Sequence, residues 1–534
     1  MNMRFLPLII AAFLASNFIS AQTQKSDPWF GESCTSIMVG KKASADGSVI
    51  TSHTCDGNYR TWLRMEPAKD HNDTTFHEVF KGTLHTETPW DMRNVKLAGK
   101  IPQVKHTYAY LNTAYPSLNE KQLAIGETTF VGPDTLVNKN GMFLIEELQR
   151  IALQRCDNAR GAVKLIGELI KEYGYGDWGE CITIADKYEV WQMEILGEGP
   201  ARIGGVWAAQ RIPDDHVGIS ANISRIGVID RNNPDFFMAS DNIEAVAKEF
   251  GLWDGEGIFK FWKAYGDQEK PFKIREFFVL SSLAPALKLT MDMDELPFSV
   301  KPEQKITMEK MMGLYRATYE GTEFDMTQNV KYIKKKYDDN RKEIGQDTII
   351  SPVANPWLTT DMRNTLNFLS EGTIEFQRTV SVSWCSYSFI TQLRDWLPDA
   401  VGGISWFSFD NPGESPRIPI FAGVNSLPES FELCGQKGYR EDAAIWNYRR
   451  ANKLATVSWG KTKHVMLENV KEFEHKAFDE MPLIENKAIM LLKEGKDEET
   501  SKYLSQYTSN FSGTTVQRWK ELEHRFWGMF GRGF

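Results

Sequence analysis

Apolar and polar positions alternate with period two in several stretches of the chain, and the first of these organises the rest. Residues 35–39 (TSIMV) and 48–52 (SVITS) are rich in β-branched side chains, and Ala45-Asp46-Gly47 between them is turn-forming. The pattern predicts a β-hairpin within 31–58. Its first strand opens at Cys34, and its second carries His53, Cys55 and Asp56 back beside that cysteine. Alternation predicts further strands over 107–114, 124–130, 379–390 and 401–409. Two more hairpins follow from the same reading, 181–185 with 190–196 and 206–210 with 217–221. Their turns are Asp186-Lys187 and Pro213-Asp214-Asp215.

Helical spacing takes over elsewhere. Phe143, Leu144, Leu148, Ile151 and Ala152 share one face of a helix over 141–157. A second helix over 159–173 has Asn158 placed to cap its start and Gly174 to end it. Helices are also predicted over 241–253, 307–319 and 326–338, and they dominate from residue 442 to 534, with turns at Gly495 and 509–513. Strands, then a helix pair, then strands predict an α+β fold in packed layers. The C-terminal fifth reads as a helical cap or as a dimerisation element that would make a homo-oligomer.

Composition narrows the class. Of 534 residues 42% are hydrophobic and 25% charged, which is ordinary for a globular chain with a large core. The net charge is −9 and no Lys/Arg block suggests a nucleic-acid partner. Residues 1–21 read as a signal peptide: Arg4 supplies the positive start, 5–14 the apolar run and Ser20-Ala21 the small-residue cleavage site. The expected product is an exported protein, periplasmic or extracellular, with no membrane span in its mature form. A lipoprotein reading fails because Cys34 lies beyond the polar segment 22–27.

The candidate chemistry centres on Cys34. Six cysteines occur, none in a CxxC pair, and only His53 lies close to one in sequence, so neither metal nor other cofactor is expected. A thiol needs a base or a lowered pKa before it attacks. If processing exposed Cys34 as the first residue, its own α-amine, with a reference pKa of about 7.7–8.0, would serve as that base. Such a mechanism needs no catalytic histidine, and the chain has only nine histidines. On the residues alone, an ordinary buried thiol in an exported binding or scaffold protein is an open alternative.

Cys34-Thr35, the spacing of Gly40 to Asp46-Gly47-Ser48 and the His53-to-Asp56 close resemble the start of the PepD-type dipeptidases. These are cysteine hydrolases of the N-terminal-nucleophile (Ntn) superfamily, related to penicillin V acylase and bile salt hydrolase. NEKQLAIGETT (119–129), EVWQME (189–194), WAAQRIPDD (207–215), ANISRI (221–226), YSFITQLRDWLP (387–398) and 402–422 are similar to the same family, in the expected order. The resemblance implies a four-layer αββα Ntn-hydrolase fold with two stacked antiparallel sheets and a helical C-terminal extension. It implies removal of a leader, 22–33, a catalytic domain over 34–440 with insertions, and a helical region over 441–534 packed on it. It also implies dipeptide hydrolysis through a thioester on an autoproteolytically exposed Cys34.

Carried over by position, Cys34 would be nucleophile and base. Asp56 would hold the amine, Asn222 would bind the oxyanion, and Glu127 or Thr129 would fill the second polar position. Acylase relatives usually carry arginine where this chain has His53, so Arg225 is the candidate replacement, or a clamp for a substrate carboxylate. A small peptide is the expected partner; its free amine calls for an acidic group near Cys34 and its carboxylate for an arginine. An N-acyl amide substrate on the same fold is the alternative.

Overall fold

The computed structural model of the protein describes residues 33–72 and 74–533; the expected signal segment, and the leader up to residue 32, lie outside them. The opening hairpin forms from β1 (Ser33–Val39) and β2 (Val49–Asp56), antiparallel with Cys34 opposite Cys55. Both strands are buried almost throughout, so they sit inside a sheet rather than at its edge.

Two antiparallel sheets carry the fold. One is built from β3 (Ala124–Val131), β4 (Gly179–Ala185), β5 (Val190–Gly197), β6 (Gly205–Arg211) and β8 (Phe237–Ala239), in the order β8-β6-β5-β4-β3. The other adds β7 (Val217–Ser220), β9 (Ser299–Val300), β10 (Cys385–Leu393), β11 (Ile404–Phe409) and β12 (Ile418–Phe421) to the hairpin, in the order β9-β7-β1-β2-β10-β11-β12. The hairpin lies across β3 and β4. The sheets meet so closely at Gly126 that a Cβ there would sit 2.3 Å from the Ser52 carbonyl oxygen. Hydroxyls join them: Thr51 to Thr183 at 2.6 Å, Thr128 to Ser220 at 2.6 Å, and Ser36 to the Glu127 carbonyl at 3.2 Å. Each pairing satisfies a buried polar group that would otherwise cost a hydrogen bond.

Helices α1 (Ile145–Arg155) and α2 (Ala159–Tyr173) pack on the smaller sheet. Asn158 accepts from the Gly161 amide at 2.8 Å, and Gly174 ends α2 at φ +82°, as their positions predict. Helix α3 (Ile274–Leu283) packs on β7 and β9. Helices α4 (Ala444–Val457), α5 (Trp459–Lys493) and α6 (Asp497–Phe530) pack on one another, and α4 and α6 lie against β11 and β12. No helix among the described residues is long and apolar enough to cross a membrane.

Three expectations fail. Residues 206–210 and 217–221 do not form a hairpin: β6 stays in the smaller sheet while β7 crosses to pair with β1 in the larger. Pro213–Asp214 is therefore a bridge between sheets, anchored by the Lys42 and Ala43 amides on the Asp214 carbonyl. Residues 326–338 are not a helix; Lys331–Tyr337 pairs with Glu343–Ile350 in an exposed ribbon stitched by Lys335–Glu343 and Lys336–Asp347. Cross-strand charge pairs and the β-branched 348–350 partner outweigh the helical charge pattern. The turn at 509–513 is absent because Phe511 packs against Phe473 of α5, and that contact carries α6 straight through.

Candidate active site

Cys34 stands second in β1, 1% exposed, with Ser33 still joined to it. Its backbone N–H donates to Asn222 Oδ1 at 2.9 Å, and its Sγ lies 3.4 Å from Glu127 Oε2. Burial pushes the thiol well up, and the carboxylate of Glu127 adds to the shift, followed by Cys55 and Asp56; a hydrogen bond from the Asp56 backbone opposes it. With Ser33 attached the sulfur is thus a resting thiol.

Asn222 follows β7 in a left-handed conformation, φ +63°, which asparagine tolerates better than most residues. Its carboxamide donates to the Thr129 carbonyl at 2.7 Å and accepts from Arg275 at 2.8 Å. Its Nδ2 carries two protons, so one remains for a developing oxyanion. The loop after it is held by buried Glu194, which accepts from the Arg225 amide at 2.7 Å and the Ile226 amide at 3.2 Å. The stretches 189–194 and 221–226, far apart in sequence, are thereby one local structure.

Asp56 closes β2, fully buried, opposite Ser33 in the register. Its Oδ2 accepts from Thr54 at 2.8 Å and from Arg378 at 2.6 Å, while Oδ1 has no hydrogen-bond partner among the described residues. Arg378 also holds the Ser33 hydroxyl at 2.7 Å. Thr129 donates to Glu127 Oε1 at 3.2 Å.

His53 lies between the sheets among Tyr115, Tyr387 and Phe389. Its Nδ1 is 2.8 Å from the Glu127 carbonyl, which assigns the proton to Nδ1. Burial pushes its pKa down to about 3, so the ring is neutral and supplies no charge to the thiol. Cys34, His53 and Glu127 each offer a donor atom within 4.8 Å of the others, a set that suits a thiophilic divalent ion. All six cysteines are free thiols.

Arg225 needs correction as the replacement cation. Its guanidinium donates to the carbonyls of Pro271, Pro297 and Phe298. The structure brings Arg275 instead, from the first turn of α3. Arg275 donates to the Cys34 carbonyl at 2.6 Å, the Thr35 hydroxyl at 3.0 Å and the Ala221 carbonyl at 2.8 Å, besides Asn222. Burial lowers its pKa to about 10, which leaves it cationic at neutral pH. No local motif marks Arg275 or Arg378. Glu180 was also missed, although a carboxylate inside the apolar strand GECITIA is a readable signal; it lies on β4 diagonal to Glu127, with Thr129 directly opposite.

A buried cysteine heads the strand, with an asparagine beside it and two arginines near it, and the comparisons make the chain a cysteine-type peptidase. The chain belongs to Peptidase family C69, whose family model matches residues 33–472. It is 26% identical to a "Probable dipeptidase" of Latilactobacillus sakei over 82% of this chain and 84% of that protein. It is 23% identical to a "Probable dipeptidase B" of Streptococcus pyogenes serotype M1 over 85% and 82% of the two chains. A "Probable dipeptidase" of Salmonella dublin is 24% identical over 73% and 81%.

Proposed function

We propose that the protein is an exported dipeptidase whose nucleophile is an autoproteolytically freed Cys34. The observation that carries this is the placement of Cys34, with its nitrogen 2.9 Å from Asn222 Oδ1 and its sulfur 3.4 Å from Glu127. The names of the relatives point to the same substrate class, and the apolar run at 5–14 supports export. The two facing antiparallel sheets with helices on them support the four-layer Ntn arrangement.

Before cleavage no α-amine exists, so the first proton must go elsewhere. Glu127 takes the thiol proton; burial holds its carboxyl above the ordinary range, which suits a base working near neutrality. Sγ attacks the Ser33 carbonyl carbon, the Ser33–Cys34 amide bond breaks, and the acyl group moves to sulfur. Water then hydrolyses that thioester, leaving a carboxylate on Ser33 and an amine on Cys34. The amine is born beside Asn222 Oδ1 and near Asp56, whose Oδ1 has no hydrogen-bond partner among the described residues.

In the mature enzyme the amine takes the thiol proton as Sγ attacks the dipeptide carbonyl. It passes that proton to the leaving amino group, and water again hydrolyses the thioester. Asn222 stabilises the oxyanion, a contribution of roughly 2.7–4 kcal/mol for one preorganised donor. Departure of Ser33 also releases the Arg378 N–H that had held its hydroxyl, which makes Arg378 the arginine best placed for the substrate carboxylate.

Intact mass and N-terminal sequencing test the reading. The mature chain should begin at Cys34 and hydrolyse dipeptides. Cys34→Ala should retain the preceding residues and be inactive, and Cys34→Ser should keep part of one or both functions. A fully active protein whose chain still begins ahead of Cys34 would overturn the amine-as-base mechanism.

A further inference from the structure

A dipeptide differs from an N-acyl amide in one charged group, the ammonium on its first residue. Backbone geometry puts that nitrogen about 2.5 Å from the carbonyl carbon that the thiolate attacks. Any seat for it must therefore lie within a few ångströms of Cys34 Sγ, and it must be anionic. Asp56 is already matched by the Arg378 guanidinium at 2.6 Å. Glu127 and Glu180 are different. Both are buried, their carboxyls lie within hydrogen-bonding reach of one another, and no lysine or arginine forms an ion pair with either among the described residues.

Two buried polar atoms here have no hydrogen-bond partner among the described residues, Glu180 Oε2 and the Tyr175 hydroxyl. Tyr175 is fully buried, and carboxylates surround its hydroxyl, Asp177 acting on it most strongly, then Glu180, Glu127 and Glu146. A buried tyrosine hydroxyl normally finds a partner. Asp177 and Glu146 extend the row of acids, and Glu146 alone of these reaches a separate cavity of about 470 Å³ that also carries Arg60, Glu147 and Arg150, and that Glu127, Glu180 and Tyr175 do not line. That volume is within the range of small-ligand sites.

We infer that Glu127, Glu180 and Tyr175 form the seat of the substrate's free α-ammonium group, so that the enzyme takes unblocked peptides and rejects N-acyl amides. The inference rests on the dipeptidase reading above. An ammonium offers three donors, and the seat offers Glu180 Oε2, a second carboxylate oxygen from Glu127 and the tyrosine oxygen. An N-acyl substrate would bring neither charge nor donors, and would leave these groups unpaired.

The test compares kcat/KM for alanyl-alanine and N-acetyl-alanyl-alanine in wild type, Glu180→Gln and Tyr175→Phe, each first shown by mass to begin at Cys34. Wild type should favour the free dipeptide by at least about 100-fold. Glu180→Gln should lower the free-dipeptide value about 10- to 100-fold and Tyr175→Phe about 10-fold, with the acetylated value unchanged in both. Should Glu180→Gln fail to fold, Tyr175→Phe, which removes a single oxygen, carries the test alone. Dipeptide hydrolysis with the wild-type ratio intact in the variants overturns the ammonium seat and leaves the dipeptidase reading standing. Wild type that cleaves only N-acyl amides overturns both.

Discussion

Asn222→Gly isolates the chemistry of the site from its backbone. Asn222 sits at φ +63°, so glycine keeps the conformation while deleting the carboxamide. Three hydrogen bonds vanish: the one accepted from the Cys34 nitrogen at 2.9 Å, the one accepted from Arg275 at 2.8 Å, and the one donated to the Thr129 carbonyl at 2.7 Å. Two bonds at about 1 kcal/mol each and one to a guanidinium at about 1.5–3 kcal/mol sum to about 3.5–5 kcal/mol. With roughly 2.1 cal/mol/K per residue over roughly 500 residues, each kcal/mol moves Tm by about 1 °C, so the melt should fall by about 3–5 °C. Asn222→Ala should fall slightly further. Left-handed strain of about 1–2 kcal/mol, less the roughly 0.4–1 kcal/mol that glycine loses through its freer unfolded chain, leaves about 0–1.6 kcal/mol against alanine. On dipeptide hydrolysis, with the N-terminus checked by mass, both variants should lose about 10²–10³ in kcat and agree with each other within a few-fold. A kcat within threefold of wild type in Asn222→Gly would refute the oxyanion role. An alanine variant more stable than the glycine variant would refute the backbone argument.

Two further outcomes follow from the buried groups around Cys34. In the uncleaved Cys34→Ala chain, the raised carboxyl of Glu180 means that the fold prefers its neutral form. The cost is absent below the ordinary glutamate pKa of about 4.3, and grows at about 1.4 kcal/mol per unit as pH climbs toward the raised value. Adding Glu180→Gln should therefore raise Tm more at pH 8 than at pH 5 in scanning fluorimetry, and an equal gain at both would contradict the assignment. Zinc should inhibit the mature enzyme through Cys34, His53 and Glu127, with chelator restoring activity. His53→Phe should raise the inhibitory concentration at least about tenfold, the size of effect expected when a ligand shell is weakened.

Much of the site's centre was legible because its signals are local. A cysteine opening an alternating strand, an Asp-Gly turn and a returning acidic residue lie within one hairpin, and the hairpin forms from contacts of short sequence separation. The helix pair 145–155 and 159–173 was legible for the same reason, since its cap and its glycine stop act on their own turns. Glu127 is legible in the sequence and Glu180 is not, because the meaning of Glu180 comes from its diagonal neighbour on the next strand rather than from its own surroundings in sequence.

By itself the sequence determined the class of secondary structure along most of the chain, the cysteine that heads β1 and the hairpin that presents it. Periodicity, capping and turn chemistry act within a few residues and are written there. Only the tertiary structure decided which cations hold the backbone and neighbours of Cys34: Arg275 from the first turn of a helix on its carbonyl and Arg378 from a loop on Ser33 and Asp56, with Arg225 turned instead to carbonyls. It alone decided that β7 leaves β6 to pair with β1, and that His53 is a neutral ring between two sheets. These choices depend on buried polar groups finding partners hundreds of residues away, and the free energy of such pairing belongs to the packed interior, where no window of sequence holds both partners.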